Sequence, residues 1–322
     1  MNRTQMTLGG ILLLQVLLIL VVRSPFSGGR EGAESRPLLP VLEAISANRM
    51  ELLGPEDKRV TLSKEGGEWQ VEEIGGYPAD ATKITGLLDD LQAIRVRRPV
   101  VSSGRYHKTF KVKEDEFESR VKIWDADDDD PEIDLILGDS PNYRTIYARP
   151  IDQESVYEIR GIAAFDVRAE TSDWIEKELV EPEQHQVVGL TVTNESGSFA
   201  LEKADGAWKV SSPGGSAGRE LDSTKIDDFL RTATAIRLTD AIGSVEDSHG
   251  FDSPAATVVL RWTPDGQSGS EVKDLTLRIG GKVADKDTQR YITRSGLDFT
   301  GTVWESSVKR LLEDNLDGLF AS

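Results

Sequence analysis

The chain contains no cysteine. Disulfide bridges, thiol catalysis, thiolate zinc sites and an acylated lipoprotein anchor are therefore excluded. Histidine is nearly as scarce: His107, His185 and His249 fall in separate segments without metal-ligand spacing. Basic residues are in deficit, 38 Lys and Arg against 56 Asp and Glu, a net charge of −18. That balance disfavours nucleic acid and anionic lipid as partners, because phosphate binding needs a basic surface. A Gly-x-Ser-x-Gly elbow, a phosphate-binding P-loop and a dinucleotide fingerprint are all missing. With so many acidic residues, no two stand out as an acid/base couple. No catalytic, cofactor-binding or metal-ligating residue is identified, and no cofactor is expected.

What is present begins with an apolar run, MTLGGILLLQVLLILVV, from Met6 to Val22 between Arg3 and Arg23. As a helix it would span roughly 25 Å, short for a membrane crossing. No Ala-x-Ala cleavage site follows, and the run is read as an uncleaved signal-anchor rather than a cleaved signal. The expectation is a single-pass inner-membrane protein with residues 1–24 as a transmembrane helix, residues 25–40 as a flexible spacer and the bulk of the chain periplasmic.

The remainder repeats itself. TLSKEGGEWQV (61–71) matches ALEKADGAWKV (200–210), and ADATKITGLLDDLQAIRV (79–96) matches LDSTKIDDFLRTATAIRL (221–238). Asp80, Thr82, Lys83, Ile84, Leu88, Ile94 and Arg95 recur as Asp222, Thr224, Lys225, Ile226, Leu230, Ile236 and Arg237. RVKIW (120–124), LILG (135–138) and IYAR (146–149) parallel VLRW (259–262), LRIG (277–280) and YITR (291–294). The preserved order reads as a tandem duplication with a period of about 140 residues. Its units are placed at 41–186 and 187–322, with the polar string 181–186 as the junction.

Each copy starts with alternating runs that signal antiparallel strands and hairpins. One amphipathic helix follows, with Ile84, Leu87, Leu88, Leu91 and Ile94 on one face behind a capping Asp80, and Ile226, Phe229, Leu230, Ala233 and Ile236 behind Asp222. More strands come next, then a short closing helical stretch within 161–179 and 306–320. The expected fold is α+β: an N-terminal transmembrane helix followed by two mainly antiparallel β-rich units, each with one principal helix.

DADDDDPEID (125–134) looks most like chemistry. It lacks a glycine and sets like charges side by side, whereas a calcium loop staggers its carboxylates around a sharp turn. Its counterpart TPDGQSGSEVKD (263–274) has lost the acid cluster. The run reads as a solvated hairpin tip, and loop solvation likewise accounts for His107, His185 and His249. Three tryptophans per copy (Trp69, Trp124, Trp174; Trp208, Trp262, Trp304) read as core or half-buried sheet residues. Asn194-Glu195-Ser196 is formally a glycosylation sequon.

Tyr77-Pro78-Ala79-Asp80 at the helix start, DWIEKELVEPEQHQVVGLTV (173–192) and HGFDSPAATVVL (249–260) resemble the domain-of-unknown-function 4340 family. There a similar phrase leads into a strand, as Gly250, Phe251, Asp252, Pro254, Thr257, Val258 and Leu260 do in this sequence. The resemblance spans about residues 40–320, although copy one carries YHKTFKVKEDEFESRVKIW (106–124) in place of that phrase. It implies a bacterial, membrane-anchored protein encoded beside transport ATPase and permease components linked to gliding motility, with no catalytic residues to carry over. The functional expectation is a non-enzymatic extracytoplasmic binding or assembly subunit of a membrane complex, accessory to an ABC-type transport system. The alternative is an extracytoplasmic hydrolase using acidic residues, acting on glycans.

Overall fold

The computed structural model describes residues 35–125, 129–212, 219–266 and 270–321. In chain order the first half forms β1 (Arg36–Pro37), β2 (Arg49–Leu53), β3 (Arg59–Glu65), β4 (Glu68–Val71), β5 (Tyr77–Pro78), α1 (Ala81–Ala93), β6 (Arg95–Val96), β7 (Ser119–Trp124), β8 (Ile133–Leu137), β9 (Ile146–Pro150) and β10 (Tyr157–Ile159). The second half forms β11 (Val187–Asn194), β12 (Gly197–Ala204), β13 (Ala207–Ser212), α2 (Ser223–Thr234), β14 (Asp240–Ser244), β15 (Ala256–Trp262), β16 (Lys273–Val283), β17 (Lys286–Arg294), β18 (Phe299–Trp304) and α3 (Glu305–Glu313).

Two eight-stranded antiparallel sheets result, ordered β10-β9-β8-β7-β2-β3-β4-β5 and β14-β18-β17-β16-β15-β11-β12-β13. Seven strands take the same places in both, β10 to β4 in the first against β18 to β13 in the second. The sheets differ at their flanks. The first adds β5 outside β4, and the second adds β14 outside β18. Alternation along the strands sends Met50, Leu52, Leu62, Val121 and Ile123 to the core of the first sheet, and Leu190, Val192, Leu201, Val258 and Leu260 to that of the second. These core residues of both sheets belong to one continuous cluster, while Ile136 packs with Val112 and Val156 in a separate one.

The recurring helix motif is structural. Asp80 accepts from the Lys83 amide at 2.9 Å, and Asp222 from the Thr224 amide at 2.9 Å, each capping its helix. The Asp80 amide donates to the Trp174 carbonyl and the Asp222 amide to the Leu319 carbonyl. Lys83 Nζ reaches the Asp173 carbonyl at 2.8 Å, as Lys225 Nζ reaches that of Phe320 at 2.7 Å. The same two residues, the aspartate and the lysine, therefore fasten each helix start to the closing segment of its unit. Residues 177–179 then run on to pair with Ile236–Leu238, tying the first closing segment to the second helix.

The α+β expectation is corrected: the fold is mostly β-sheet, with three short α-helices of 13, 12 and 9 residues among the described residues. The closing stretch 161–179 contains only single 3-10 turns at Ala164–Val167 and Thr171–Asp173. Its buried residues, Ile162, Val167, Ala169, Trp174, Ile175 and Leu179, do not fall on one helical stripe, whereas Val308, Leu311 and Leu312 of α3 do. The membrane expectation is corrected as well. No helix of the described residues is long and apolar enough to cross a membrane, so a single-pass inner-membrane protein is not supported. The run at 6–22 lies outside the described residues.

Gly138 and Gly280, the glycines of the matching LILG and LRIG strings, share a constraint. A Cβ on Gly138 would lie 2.0 Å from the Phe110 carbonyl oxygen, and one on Gly280 would lie 2.1 Å from that of His249. In both sheets a covering loop crosses the strand at backbone distance. Gly138→Ala and Gly280→Ala should each cost about 1–3 kcal/mol or more by overpacking, read as a lowered midpoint in urea unfolding. A loss below 0.5 kcal/mol would contradict the close approach.

Between the sheets the Tyr77 ring meets Phe299 edge-on at 5.3 Å, and its hydroxyl lies 3.3 Å from the Glu176 carbonyl. Burial pushes the Tyr77 phenol up to about 12. Because the folded value is the higher one, its stabilisation is intact below the ordinary value of 10.0 and is lost as pH rises toward 12. Ultraviolet titration should therefore show one of the six tyrosines ionising last, and Tyr77→Phe should remove that step.

Candidate binding surfaces

The sequence-level candidates are dispersed. His249 is buried rather than solvated, with 6% of its surface exposed. Its Nδ1 accepts from the Glu246 amide at 3.1 Å and lies 2.9 Å from Thr300 Oγ1, while the ring faces Tyr291 at 4.5 Å. It is a core residue holding the loop over β16 and β17. His107 places Nε2 2.9 Å from the Glu154 carbonyl. His185 stays exposed in the junction, 3.2 Å from Glu183.

The aspartate run does join β7 to β8, and residues 126–128 within it lie outside the described residues. Asp125 Oδ1 accepts from the Ser46 amide at 3.1 Å. Among the described residues no group of three or more metal-ligating side chains comes together. The tryptophans diverge between copies: Trp69, Trp124 and Trp174 are buried, Trp208 and Trp262 are half-buried, and Trp304 is exposed. Asn194 Nδ2, the atom a glycan would modify, donates to the Leu311 and Asp314 carbonyls at 3.0 and 2.9 Å. It satisfies the orphaned C-terminal carbonyls of α3.

A surface that sequence reasoning missed lies at one end of the first sheet. The β2–β3 and β8–β9 hairpin tips and the turn at Ala164–Val167 enclose a cleft of about 540 Å³, lined by Pro55, Thr145, Ile162, Ala163 and Ala164. Tyr143, 84% exposed, and Phe165, 63% exposed, stand on its rim. Asn142 shapes the tip, donating to Thr145 Oγ1 at 2.8 Å and accepting from the Arg144 amide at 2.9 Å. At the β2–β3 tip Glu56 and Asp57 hold φ of 60° and 58°, the left-handed pair that a tight hairpin turn requires. The available signal was Tyr143 itself, an aromatic in Ser140-Pro141-Asn142-Tyr143-Arg144, where turn chemistry calls for polar residues only.

A second cleft of about 460 Å³ lies beside α3, lined by Asn194, Arg290, Glu305 and Glu313 among others. Its charges are already engaged, since Arg290 Nε pairs with Glu305 at 2.8 Å and Arg290 Nη1 reaches the Gly280 carbonyl at 3.2 Å.

The family model described as Domain of unknown function (DUF4340) matches residues 69–254, more than half of the chain. The chain belongs to the DUF4340 family. The match begins in β4 and ends before β15, so it takes in parts of both sheets, α1 and α2. No curated protein and no solved structure matches the chain.

Within this DUF4340 chain, Asp240 on β14 is a carboxylate whose pKa is displaced from the ordinary value. Burial raises its pKa, against the Ala241 amide that donates to it and the nearby Lys286 and Lys177. Such a carboxyl favours folding most below the ordinary value of 3.8, and that contribution is lost as pH rises through the folded value. Asp240→Asn keeps the acceptor for the Ala241 amide and removes the charge. It should raise stability at neutral pH and lose that advantage near about pH 3. Urea unfolding of both proteins at the two pH values measures this, and equal stability at neutral pH would refute the assigned burial cost.

Proposed function

We propose that the protein is a non-enzymatic binding and assembly subunit, and that it engages a protein partner through the Tyr143–Phe165 cleft. The cleft carries this reading. Exposed aromatics framing an apolar depression are the residues that dominate protein interfaces when buried, and single exposed apolar residues elsewhere on a surface need no such account. Buried Thr145 and the exposed Asn142 and Ser140 add a few polar groups, the usual composition of a recognition pocket. A hydrolase would instead need two carboxylates converging in one cleft with their pKa values driven apart. Asp240 lines neither cleft described above.

The family resemblance makes transport ATPase components the first partners to test. Tyr143→Ala combined with Phe165→Ala should weaken partner binding by at least ~2 kcal/mol, about 30-fold, while leaving the urea midpoint unchanged. Titration calorimetry with the purified partner reads the first, and denaturation the second. Full retention of binding by the double variant would overturn the assignment, as would turnover of a glycan substrate by the purified protein.

A further inference from the structure

Three of the four sheet flanks are closed. β5 continues into Ala79, which bridges to Ile175, and the Glu176 amide donates to the Pro78 carbonyl. Beside β10, the Val156 amide donates to the Val101 carbonyl and its carbonyl accepts from the Val100 amide. β14 packs on the first unit's turns at Glu72–Ile74 and Thr171–Asp173. The fourth flank is β13. Among the described residues, its only backbone partner is β12 on one side.

The duplicated order supplies an internal comparison. β13 occupies the place of β4, with Trp208 matching Trp69 and Val210 matching Val71. In the first sheet β5 lies alongside, pairing Tyr77 with Val71 and Pro78 with Gln70. There Trp69 is 6% and Val71 0% exposed. Trp208 and Val210, which lack that neighbour, are only half-buried against the core. Arg219 and Glu220, at the positions of Tyr77 and Pro78, are exposed and unpaired with β13. On the other face the sole charge of β13 is Lys209, 60% exposed and 3.5 Å from a 95% exposed Asp205. A pair that exposed contributes little and leaves the ammonium available.

We propose that the outer edge of β13 is a β-augmentation site for an extended segment of a partner protein, with apolar side chains completing the burial of Trp208 and Val210 and a carboxylate set against Lys209. Added strands bind by main-chain hydrogen bonds and are selected by alternate side chains. The site shares no residue with the Tyr143 cleft, so either reading can fail alone.

The test uses the full chain and a short capped peptide of alternating valine and threonine with one central glutamate. Hydrogen exchange should show alternate amides of residues 207–212 unprotected in the free protein and protected by the peptide. Lys209→Glu, a change at an exposed side chain, should weaken the peptide about tenfold, and its arginine counterpart Lys209→Arg should not. Three outcomes would overturn the proposal: no protection at millimolar peptide, protection already complete in the free monomer, or protection in the free protein that disappears on dilution. The second would mean that the chain fills its own edge, and the third that a second copy does.

Discussion

Residues 174–179 form backbone hydrogen bonds with the starts and ends of two helices at once. Trp174 and Glu176 bond to Asp80 and Pro78 ahead of α1, and Lys177 and Leu179 bond to Leu238 and Ile236 behind α2. A buried peptide group without a partner costs about as much as a lost hydrogen bond, so one strap serving two segments couples their formation. Arg36–Leu38 takes the same place behind α1, pairing with Ile94–Val96. Leu319–Ala321 takes the closing place ahead of α2. The helices are short, and isolated helices of such length are marginal in water. Their stability therefore comes from caps, strap and core together. Pulling the halves apart would break the strap, expose Tyr77 and Phe299, and divide a continuous apolar cluster.

With that frame fixed, the two halves differ mainly in what covers them. The first sheet's outer face lies under residues 97–118, pinned by Arg149, which is 4% exposed and donates to the Val112, Ile151 and Gln153 carbonyls. Burial lowers that guanidinium's pKa, and three backbone carbonyls accept from it in place of a carboxylate. Over the second sheet a shorter loop centred on His249 and Phe251 suffices. Shared glycines at 138 and 280 let both loops approach, so the covering is common to the halves while its sequence is not.

Much of the frame was legible because period and spacing record it. The Asp-x-Thr-Lys-Ile strings marked the helix starts, since an N-cap and an inward isoleucine are local requirements, and Asp80 and Asp222 cap as read. The reach of Lys83 and Lys225 to carbonyls some 90 residues away was not legible, because it depends on tertiary placement. The closing stretch 161–179 was misread as helical for a related reason: its burial is set by the strap, not by a stripe. His249 was misread because a histidine before a strand carries no local sign of the Thr300 and Tyr291 that enclose it. The cleft was invisible for the same cause, as Pro55, Tyr143 and Phe165 meet only through the fold.

Charge explains why neither surface looks like chemistry in the sequence. Most striking stretches of acid or base are consumed by structure or by solvent: Asp80 and Asp222 as caps, Arg120 with Asp134 as a half-buried bidentate pair at 2.7 and 2.6 Å, and the aspartate run in a hairpin. At a net charge of −18 the protein repels acidic partners at long range, over a Debye length of about 8 Å at physiological salt. Contacts that succeed on such a molecule are those where charge is locally sparse. The proposed Tyr143–Phe165 rim is aromatic, with Glu118 and Arg168 as the charged residues of its cleft, and the edge strand β13 carries a single lysine. Repulsion acts mostly on the rate of encounter, whereas short-range burial and main-chain bonding set the lifetime of a complex. On an acidic body the two proposed docking features would therefore depend on short-range burial and main-chain bonding, with Lys209 as the one local attraction for a carboxylate.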